Sequence, residues 1–170
     1  MFKSIVVATD GSDHANNAVS AASALAQRFD AKLTICHVKL EGPVPEGLSQ
    51  MLQAEHMVEP GLAQPTQTPD ISGNLAAARR ELSNEQLHQV AAEQVVTLAK
   101  RTAKSLEVHD VDARIDDGDP VDAILDCATR TDADLIVMGR RGLSDLKGLV
   151  LGSVSHKVAA RAECACLTVK

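Results

Sequence analysis

The sequence predicts a doubly wound α/β fold, in which helices cover both faces of a parallel β-sheet. Short runs of β-branched residues alternate along the chain with segments of helical periodicity. Runs such as 5–8 and 135–138 are apolar throughout, as expected of parallel strands buried on both faces. The chain has two Phe and no Tyr or Trp, so its core must be built from Val, Ile, Leu and Ala.

We predict four strand–helix pairs followed by a final strand. The first strand, 5–8, leads into an Ala-rich helix over 14–28, and 32–38 forms the second strand. A long amphipathic helix follows over 82–106. The apolar residues that would form its buried stripe are Leu87, Val90, Ala91, Val95, Leu98 and Ala99.

The second half of the chain continues the same alternation. Apolar and polar residues alternate over 111–115, which is typical of an edge strand with one solvated face. Asp119 and Pro120 then supply an N-cap carboxylate and a first-turn proline for the next helix. A buried strand, a final helix and a closing strand follow at 135–138, 154–161 and 166–169. Right-handed crossovers turn this order into a doubly wound sheet.

The whole chain, 1–170, is predicted to be one domain with an insertion at about 40–74. That segment holds five of the six prolines and four of the ten glycines. It is longer than an ordinary connection between elements. A lid, a partner-binding surface, a variable insertion and a partly disordered surface loop all remain open for it.

The charge and the apolar pattern exclude several classes of partner. The formal net charge is −6, and such an acidic surface repels nucleic acid and anionic lipid. No apolar run approaches the roughly 20 residues of a membrane span, and the N-terminus lacks the layout of a signal peptide. We therefore expect a cytoplasmic protein with no nucleic-acid partner and no membrane insertion.

The four cysteines give no metal signature. Cys36 and Cys127 lie in apolar stretches and are predicted to be inert, buried thiols. Cys164 and Cys166 form a Cys-x-Cys pair near the end of the chain, with His156 as the nearest further ligand type. We interpret them as positions that enter the final strand, and we expect no metal site.

Two glycine clusters bracket a loop before the last helix. Gly139 and Gly142 follow the fourth strand, and after nine intervening residues Gly152 and Ser153 open the helix. Glycines allow close approach of backbone N–H groups, and a helix N-terminus favours phosphate. Neighbouring Arg140, Arg141 and Ser155 add charge and a hydroxyl donor. The pattern is neither a Walker A loop nor G-x-G-x-x-G.

A second cluster is predicted to face the same crevice. Thr9, Asp10 and Gly11 lie at the carboxyl end of the first strand. In a doubly wound sheet, ligands bind outside the strand ends where the winding direction reverses. If the first and fourth strands are neighbours, Asp10 and Gly139 line one crevice, with Asp10 suited to ribose hydroxyls. A cap of the first helix is the alternative role for Asp10.

These motifs resemble the ATP-binding universal stress proteins. The spacing of Gly139, Gly142, Gly152 and Ser153 matches their G-2x-G-9x-G-(S/T) pattern, and 5–12 resembles their first strand and turn. The resemblance covers the chain apart from 40–74. It implies a Rossmann-like fold of the adenine nucleotide α-hydrolase type, with five parallel strands ordered 3-2-1-4-5. It also implies a homodimer paired through the C-terminal strand, bound ATP, and Mg²⁺ held through the phosphates.

The resemblance further assigns roles to individual residues. Thr9 and Asp10 would meet the ribose, and the backbone of Val38 would meet adenine. The phosphate-side residues would be Gly139, Arg141, Gly142, Gly152, Ser153, Val154 and Ser155. Ala8 and Met138, at the strand ends, complete the predicted nucleotide-binding set.

The leading hypothesis for function is an ATP-binding regulatory module in a stress response. No catalytic constellation is evident, and His14 and His37, the histidines nearest the crevice, are interpreted as surface or helix-turn residues. A nucleotide-independent dimeric scaffold with an unknown protein partner is the alternative. A slow ATPase, or a nucleotidyl-transferring enzyme of the related adenine nucleotide α-hydrolase group, is the third, and autophosphorylation at Ser153 or Ser155 remains open.

Overall fold

A computed structural model describes residues 1–39, 84–143 and 152–170 of the chain. The described elements alternate between strand and helix. In chain order they are β1 (Ser4–Ala8), α1 (Asp13–Phe29), β2 (Lys32–Lys39), α2 (Asn84–Ser105), β3 (Val111–Asp117), α3 (Pro120–Arg130), β4 (Leu135–Gly139), α4 (Ser153–Arg161) and β5 (Ala165–Val169). The predicted insertion at 40–74 lies outside the described residues.

The five strands form one parallel sheet in the order β3-β2-β1-β4-β5. The predicted doubly wound sheet with the order 3-2-1-4-5 is therefore confirmed. The chain winds outward from β1 to β3 and then returns to place β4 on the other side of β1. This reversal between β1 and β4 is the switch point at which such sheets bind ligands.

Two apolar clusters lie on opposite faces of the sheet. One joins α1 and α2 to the sheet through residues such as Val7, Val19 and Ile35. The other joins α3 and α4 through residues such as Val6 and Ile124. Strand side chains alternate between the faces, so each strand contributes to both clusters.

Side-chain caps determine where two of the helices begin. The Ser12 hydroxyl accepts from the Ala15 N–H at 3.4 Å at the start of α1. At α3 the Asp119 carboxylate accepts from the Val121 N–H at 2.8 Å, and Pro120 follows it as predicted. Each cap satisfies a backbone N–H that has no partner within its helix.

The buried stripe of α2 differs from the prediction. Ala91, Val95 and Ala99 are buried as expected, but Val90 is 38% exposed. Ala92 and Val96 are buried in addition. The helix contacts both α1 and the β2–β3 strands, so its buried stripe is rotated past Val90 toward Ala92.

The two edge strands carry different side chains. At one edge, β3 alternates charged Asp112, Arg114 and Asp116 with apolar residues. At the other edge, β5 is uncharged, and its Leu167 is 38% exposed. None of the helices described in 1–39, 84–143 and 152–170 is long and apolar enough to cross a membrane.

Candidate functional site

A cavity of about 400 Å³ lies at the carboxyl ends of β1, β2 and β4. The register places Ala8 beside Cys36 on one side and Met138 on the other, so the three strand ends meet there. The structure brings all twelve residues of the predicted set into its lining: Ala8, Thr9, Asp10, Val38, Met138, Gly139, Arg141, Gly142, Gly152, Ser153, Val154 and Ser155.

Sequence reasoning missed five of the lining residues, which are Ala15, Cys36, Pro120, Ile124 and Leu143. Cys36 lies two positions before Val38 and so shares its face of β2, which is a signal that the alternation of a strand provides. The contribution of α3 through Pro120 and Ile124 needs the tertiary structure. We call Cys36, Val38, Pro120 and Ile124 the apolar wall of the cavity.

Asp10 ties the turn after β1 to the loop after β4. One carboxylate oxygen accepts from the Ser12 N–H at 3.0 Å, and the other accepts from the Leu143 N–H at 2.9 Å. Hydrogen bonds from backbone N–H groups to a carboxylate are charge-assisted and strong. Asp10 therefore has a positioning role that the sequence did not reveal. Each carboxylate oxygen keeps a further lone pair for a ligand hydroxyl.

The glycines allow close backbone approach on the side of the cavity next to the N-terminus of α4. A Cβ atom on Gly142 would collide with the Asp10 carboxylate oxygen. A Cβ atom on Gly139 would lie 2.9 Å from backbone atoms of His14, Ala15 and Arg141. Gly139 therefore serves packing between β4 and α1, whereas Gly142 keeps room beside Asp10.

The N-terminus of α4 faces the same space. Its N-cap is Gly152, which has no side chain to cap the helix, unlike Ser12 of α1 and Asp119 of α3. The His156 N–H makes the first intrahelical bond to the Gly152 carbonyl at 3.0 Å. The N–H groups of the first turn and the positive end of the helix dipole therefore suit an anion.

The two serines of α4 lie in different environments. Ser153 is exposed at the cavity, so its hydroxyl is placed to donate to a ligand. Ser155 is 4% exposed, and its hydroxyl lies 3.0 Å from the Arg140 carbonyl and 3.1 Å from the Gly152 carbonyl. A hydroxyl has one hydrogen to donate, so that of Ser155 serves the loop–helix junction.

The end of β2 presents its backbone to the cavity. The Cys36 carbonyl accepts from the Thr9 N–H at 2.9 Å, so it points toward β1. Val38 lies two residues further on, and its N–H and C=O point the same way. Since β1 ends at Ala8, these groups face the cavity and can pair with a planar base.

His37 is buried at 5% exposure, so its interpretation as a surface residue is wrong. Its Nδ1 lies 2.8 Å from the Thr9 carbonyl oxygen. A carbonyl only accepts, so Nδ1 carries the hydrogen and donates it. Burial lowers the pKa of His37, against the opposing effects of the Thr9 bond and Asp10. The neutral ring fixes the turn that presents Asp10.

Among the described residues, metal-binding side chains do not cluster near the cavity. Within residues 1–39, 84–143 and 152–170 no three His, Cys, Asp or Glu side chains could together hold a metal ion. The donors that line the cavity are instead backbone N–H groups, hydroxyls and the guanidinium of Arg141, which suit an anion. These donors fit the phosphates of a nucleotide.

The Universal stress protein family model matches the chain over residues 1–65 and 56–170. A universal stress protein of Thermus aquaticus, described from the QAH/OAS sulfhydrylase 3′ region, is 36% identical over 170 residues that cover all of both chains. The universal stress protein YxiE of Bacillus subtilis is 33% identical over 174 residues, again with full coverage of both.

The fold also matches solved structures. A universal stress protein solved in complex with cAMP has a TM-score of 0.63 and 28% identity, with coverage of 99% of this chain and 97% of that one.

Proposed function

The chain belongs to the universal stress protein family, and we propose that it is a regulatory module that binds ATP in the cavity at the β1–β4 switch point. The observation that carries the proposal is the combination of an apolar wall with a glycine-lined anion site in one cavity. A nucleotide has the same two parts, a flat apolar base and a charged phosphate chain.

The cavity orients the proposed nucleotide in one direction. The base would lie against the apolar wall and pair with the backbone of Val38. Thr9 and Asp10 stand between the wall and the loop, where a ribose would lie. The phosphates would approach Gly142, Ser153 and the N-terminus of α4.

The phosphate side favours a long nucleotide over a short one. The first-turn N–H groups of α4, the Ser153 hydroxyl and Arg141 are donors that neighbouring phosphates of one chain could share. The relative solved with cAMP supports an adenine nucleotide in general. Mg²⁺ would be held through the phosphates and would neutralise part of their charge.

The environment of the cavity favours binding over catalysis. Asp10 already accepts from two backbone N–H groups, so it is a poor general base. His37 points to the opposite face of the sheet from the apolar wall and donates to Thr9. We therefore propose that nucleotide occupancy, rather than turnover, is the signal that this protein passes to a partner.

Calorimetric titration of the purified protein with Mg-ATP, ADP, AMP and cAMP tests the proposal. We expect ATP to bind most tightly, with an affinity in the micromolar range or tighter. Equal affinities for ATP and AMP would contradict the assigned phosphate contacts. A steady-state phosphate assay on the same sample tests the ATPase alternative, and turnover above that of Gly142→Val would favour it.

The edge strand β5 favours a second candidate, a dimeric interaction protein. An uncharged edge with an exposed Leu167 is suited to pairing with a second copy, whereas charged β3 opposes it. We propose a homodimer through β5, which Leu167→Lys should convert to a monomer in sedimentation analysis. A dimer of unchanged stability in this variant would exclude the β5 interface.

We also propose that 1–170 fold as one domain. The family model spans both sides of the 40–74 segment, and one sheet contains strands from before and after it. A single cooperative thermal transition, observed alike by circular dichroism and calorimetry, is the expected behaviour. Two separate transitions would contradict it.

A further inference from the structure

A set of hydrogen bonds around Arg140 fixes the place where α4 begins. The Arg140 N–H donates to the Val169 carbonyl oxygen at 2.7 Å, which extends the β4–β5 pairing one step beyond Gly139. The Arg140 carbonyl in turn accepts from the Gly152 N–H at 2.8 Å. The start of α4 is therefore tied to the end of β4 and, through it, to the sheet. We call Arg140, Gly152, Ser155 and Val169 the Arg140 junction.

The buried Ser155 side chain lies inside this junction. Its hydroxyl oxygen is 3.0 Å from the Arg140 carbonyl oxygen and 3.1 Å from the Gly152 carbonyl oxygen. A hydroxyl has one hydrogen to donate. Donation to Gly152 would stay within α4, whereas donation to Arg140 joins the helix to the segment that follows β4.

The junction leaves little room for a side chain at the N-cap of α4. A Cβ atom on Gly152 would lie 3.2 Å from the Arg140 carbonyl oxygen and 3.4 Å from the Ser155 Oγ. An N-cap is more often Ser, Thr, Asp or Asn, whose side chain accepts from an N–H group of the first turn. Gly152 makes no such bond, so the first-turn N–H groups remain available to a ligand.

We propose that Ser155 is a positioning residue of the cavity. Its hydroxyl donates to the Arg140 carbonyl oxygen and so holds the N-terminus of α4 in place without occupying the N–H groups of the first turn. The Arg140 carbonyl then accepts from both Ser155 and Gly152, which uses its two lone pairs. Ser155 was predicted from the sequence to contact phosphate, but in this arrangement it acts on the ligand only through α4.

Two other helices show the alternative way to fix a helix start. Ser12 accepts from one first-turn N–H group of α1, and Asp119 accepts from two of α3. Those donors are then used within the protein. Ser155 donates rather than accepts, so α4 keeps its first-turn donors for an anion. That this anion is a phosphate chain rests on the proposed function.

Removal of the Ser155 hydroxyl should loosen the junction without unfolding the protein. In Ser155→Ala the Arg140 carbonyl keeps its bond from the Gly152 N–H, and alanine is well tolerated in a helix. We therefore expect a Tm close to that of the wild type. The affinity for Mg-ATP should fall about fivefold, the effect of one hydrogen bond. Ser155→Thr, which keeps the hydroxyl, should restore most of the affinity.

Amide hydrogen exchange, measured by NMR on the nucleotide-free protein, tests the junction itself. Exchange of the Gly152 amide should be roughly fivefold faster in Ser155→Ala than in the wild type. The Asn16 amide, which bonds to the Ser12 carbonyl at the start of α1, should exchange at an unchanged rate. Ser153→Ala removes an exposed hydroxyl two residues away and is the matched control, in which neither rate should change. Equal Gly152 exchange in Ser155→Ala and the wild type would overturn the proposal.

Titration with two ligands separates this proposal from the proposed function. Inorganic tripolyphosphate carries the same phosphate chain as ATP, so Ser155→Ala should bind both about fivefold more weakly than the wild type. Faster Gly152 exchange with unchanged affinity for both ligands would overturn the positioning role. A wild type that bound tripolyphosphate but not ATP would contradict the nucleotide function, and weaker tripolyphosphate binding by Ser155→Ala would still support the role of Ser155. No binding of either ligand would contradict both proposals.

Discussion

Asp10 and Asp134 make the same kind of hydrogen bonds at opposite ends of the β1–β4 pair, since each carboxylate accepts from two backbone N–H groups. At the amino end, the Asp134 carboxylate accepts from the N–H groups of Lys3 and Ser4 at 2.6 and 3.0 Å. At the carboxyl end, Asp10 accepts from those of Ser12 and Leu143 at 3.0 and 2.9 Å. Asp134, just before β4, thus holds the start of β1, and Asp10, just after β1, holds the loop that follows β4.

The surroundings of the two carboxylates differ, and so do their roles. Asp134 is exposed and adjoins no cavity lining, so its hydrogen bonds serve the structure of the sheet end. Asp10 lines the cavity, beside Gly142 and opposite the N-terminus of α4. The comparison teaches that two similar carboxylate bridges differ in what surrounds them: only Asp10 of the two lies where strand ends open onto the switch point, so only it is available to a ligand in the cavity.

The largest expected effect comes from closing the space beside Asp10. Gly142→Val places a branched side chain where the Asp10 carboxylate lies, so it displaces the loop that we propose holds the phosphates. We expect at least a hundredfold loss of ATP affinity, about 2.7 kcal/mol. Calorimetry measures the affinity, and Tm should change little because the collision involves one side chain.

Gly139→Ala is the matched control for that experiment. Its new Cβ atom would meet backbone atoms of α1 and of the loop, each 2.9 Å away, which cannot move separately from the fold. The expected result is a lower Tm in contrast to Gly142→Val. If both variants lost binding and stability alike, the separate roles of the two glycines would be wrong.

The next effect distinguishes the two carboxylates directly. Asp10→Ala removes charge-assisted bonds at the cavity and should weaken ATP binding by about tenfold, or roughly 1.4 kcal/mol. Asp134→Ala should leave the affinity unchanged and lower Tm. Equal ATP affinities in the two variants would remove the distinction between the sheet ends.

A smaller effect is expected on the stability of the fold as the pH falls below neutrality. Burial lowers the pKa of His37 below that of an unfolded histidine, which is about 6.5. The unfolded chain therefore takes up a proton first, and stability falls as the pH drops below about 6.5. His37→Gln should flatten this part of the Tm-against-pH curve. A curve of the wild-type shape in the variant would assign the dependence to other groups.

The smallest expected effect is on stability at low pH, through Asp134 at the amino end of the β1–β4 pair. The N–H groups of Lys3 and Ser4 hold the pKa of Asp134 below its usual value. Its contribution to stability is therefore complete above the unfolded pKa of about 3.9 and is lost as the pH falls through the lower folded value. The Tm difference between wild type and Asp134→Ala should shrink below about pH 4. A difference that stays constant to pH 2 would mean that the charge is irrelevant.

Local patterns were sufficient to predict most of the fold. Apolar runs identified the strands, and Asp119 with Pro120 identified the start of α3, because these signals act over a few residues. The exposed position of Val90 was not predictable, since it depends on how α2 lies across α1 and two strands. Apolar periodicity alone does not determine the rotation of a helix.

The site was predictable to the extent that backbone motifs define it. The spacing of Gly139, Gly142 and Gly152 predicted that these glycines lie together, and all three line the cavity. The bond from Leu143 to Asp10 and the burial of His37 depend on strand pairing, which brings distant residues together.

The central claim is that the cavity at the carboxyl ends of β1 and β4 holds ATP. Calorimetric titration of the reduced, nucleotide-free protein with Mg-ATP tests it most directly, with Gly142→Val measured alongside. The account predicts saturable binding of one ATP per chain in the wild type and at least hundredfold weaker binding in the folded variant. The claim would be contradicted if ATP released no heat on titration into the folded wild type and did not compete with AMP or cAMP for binding.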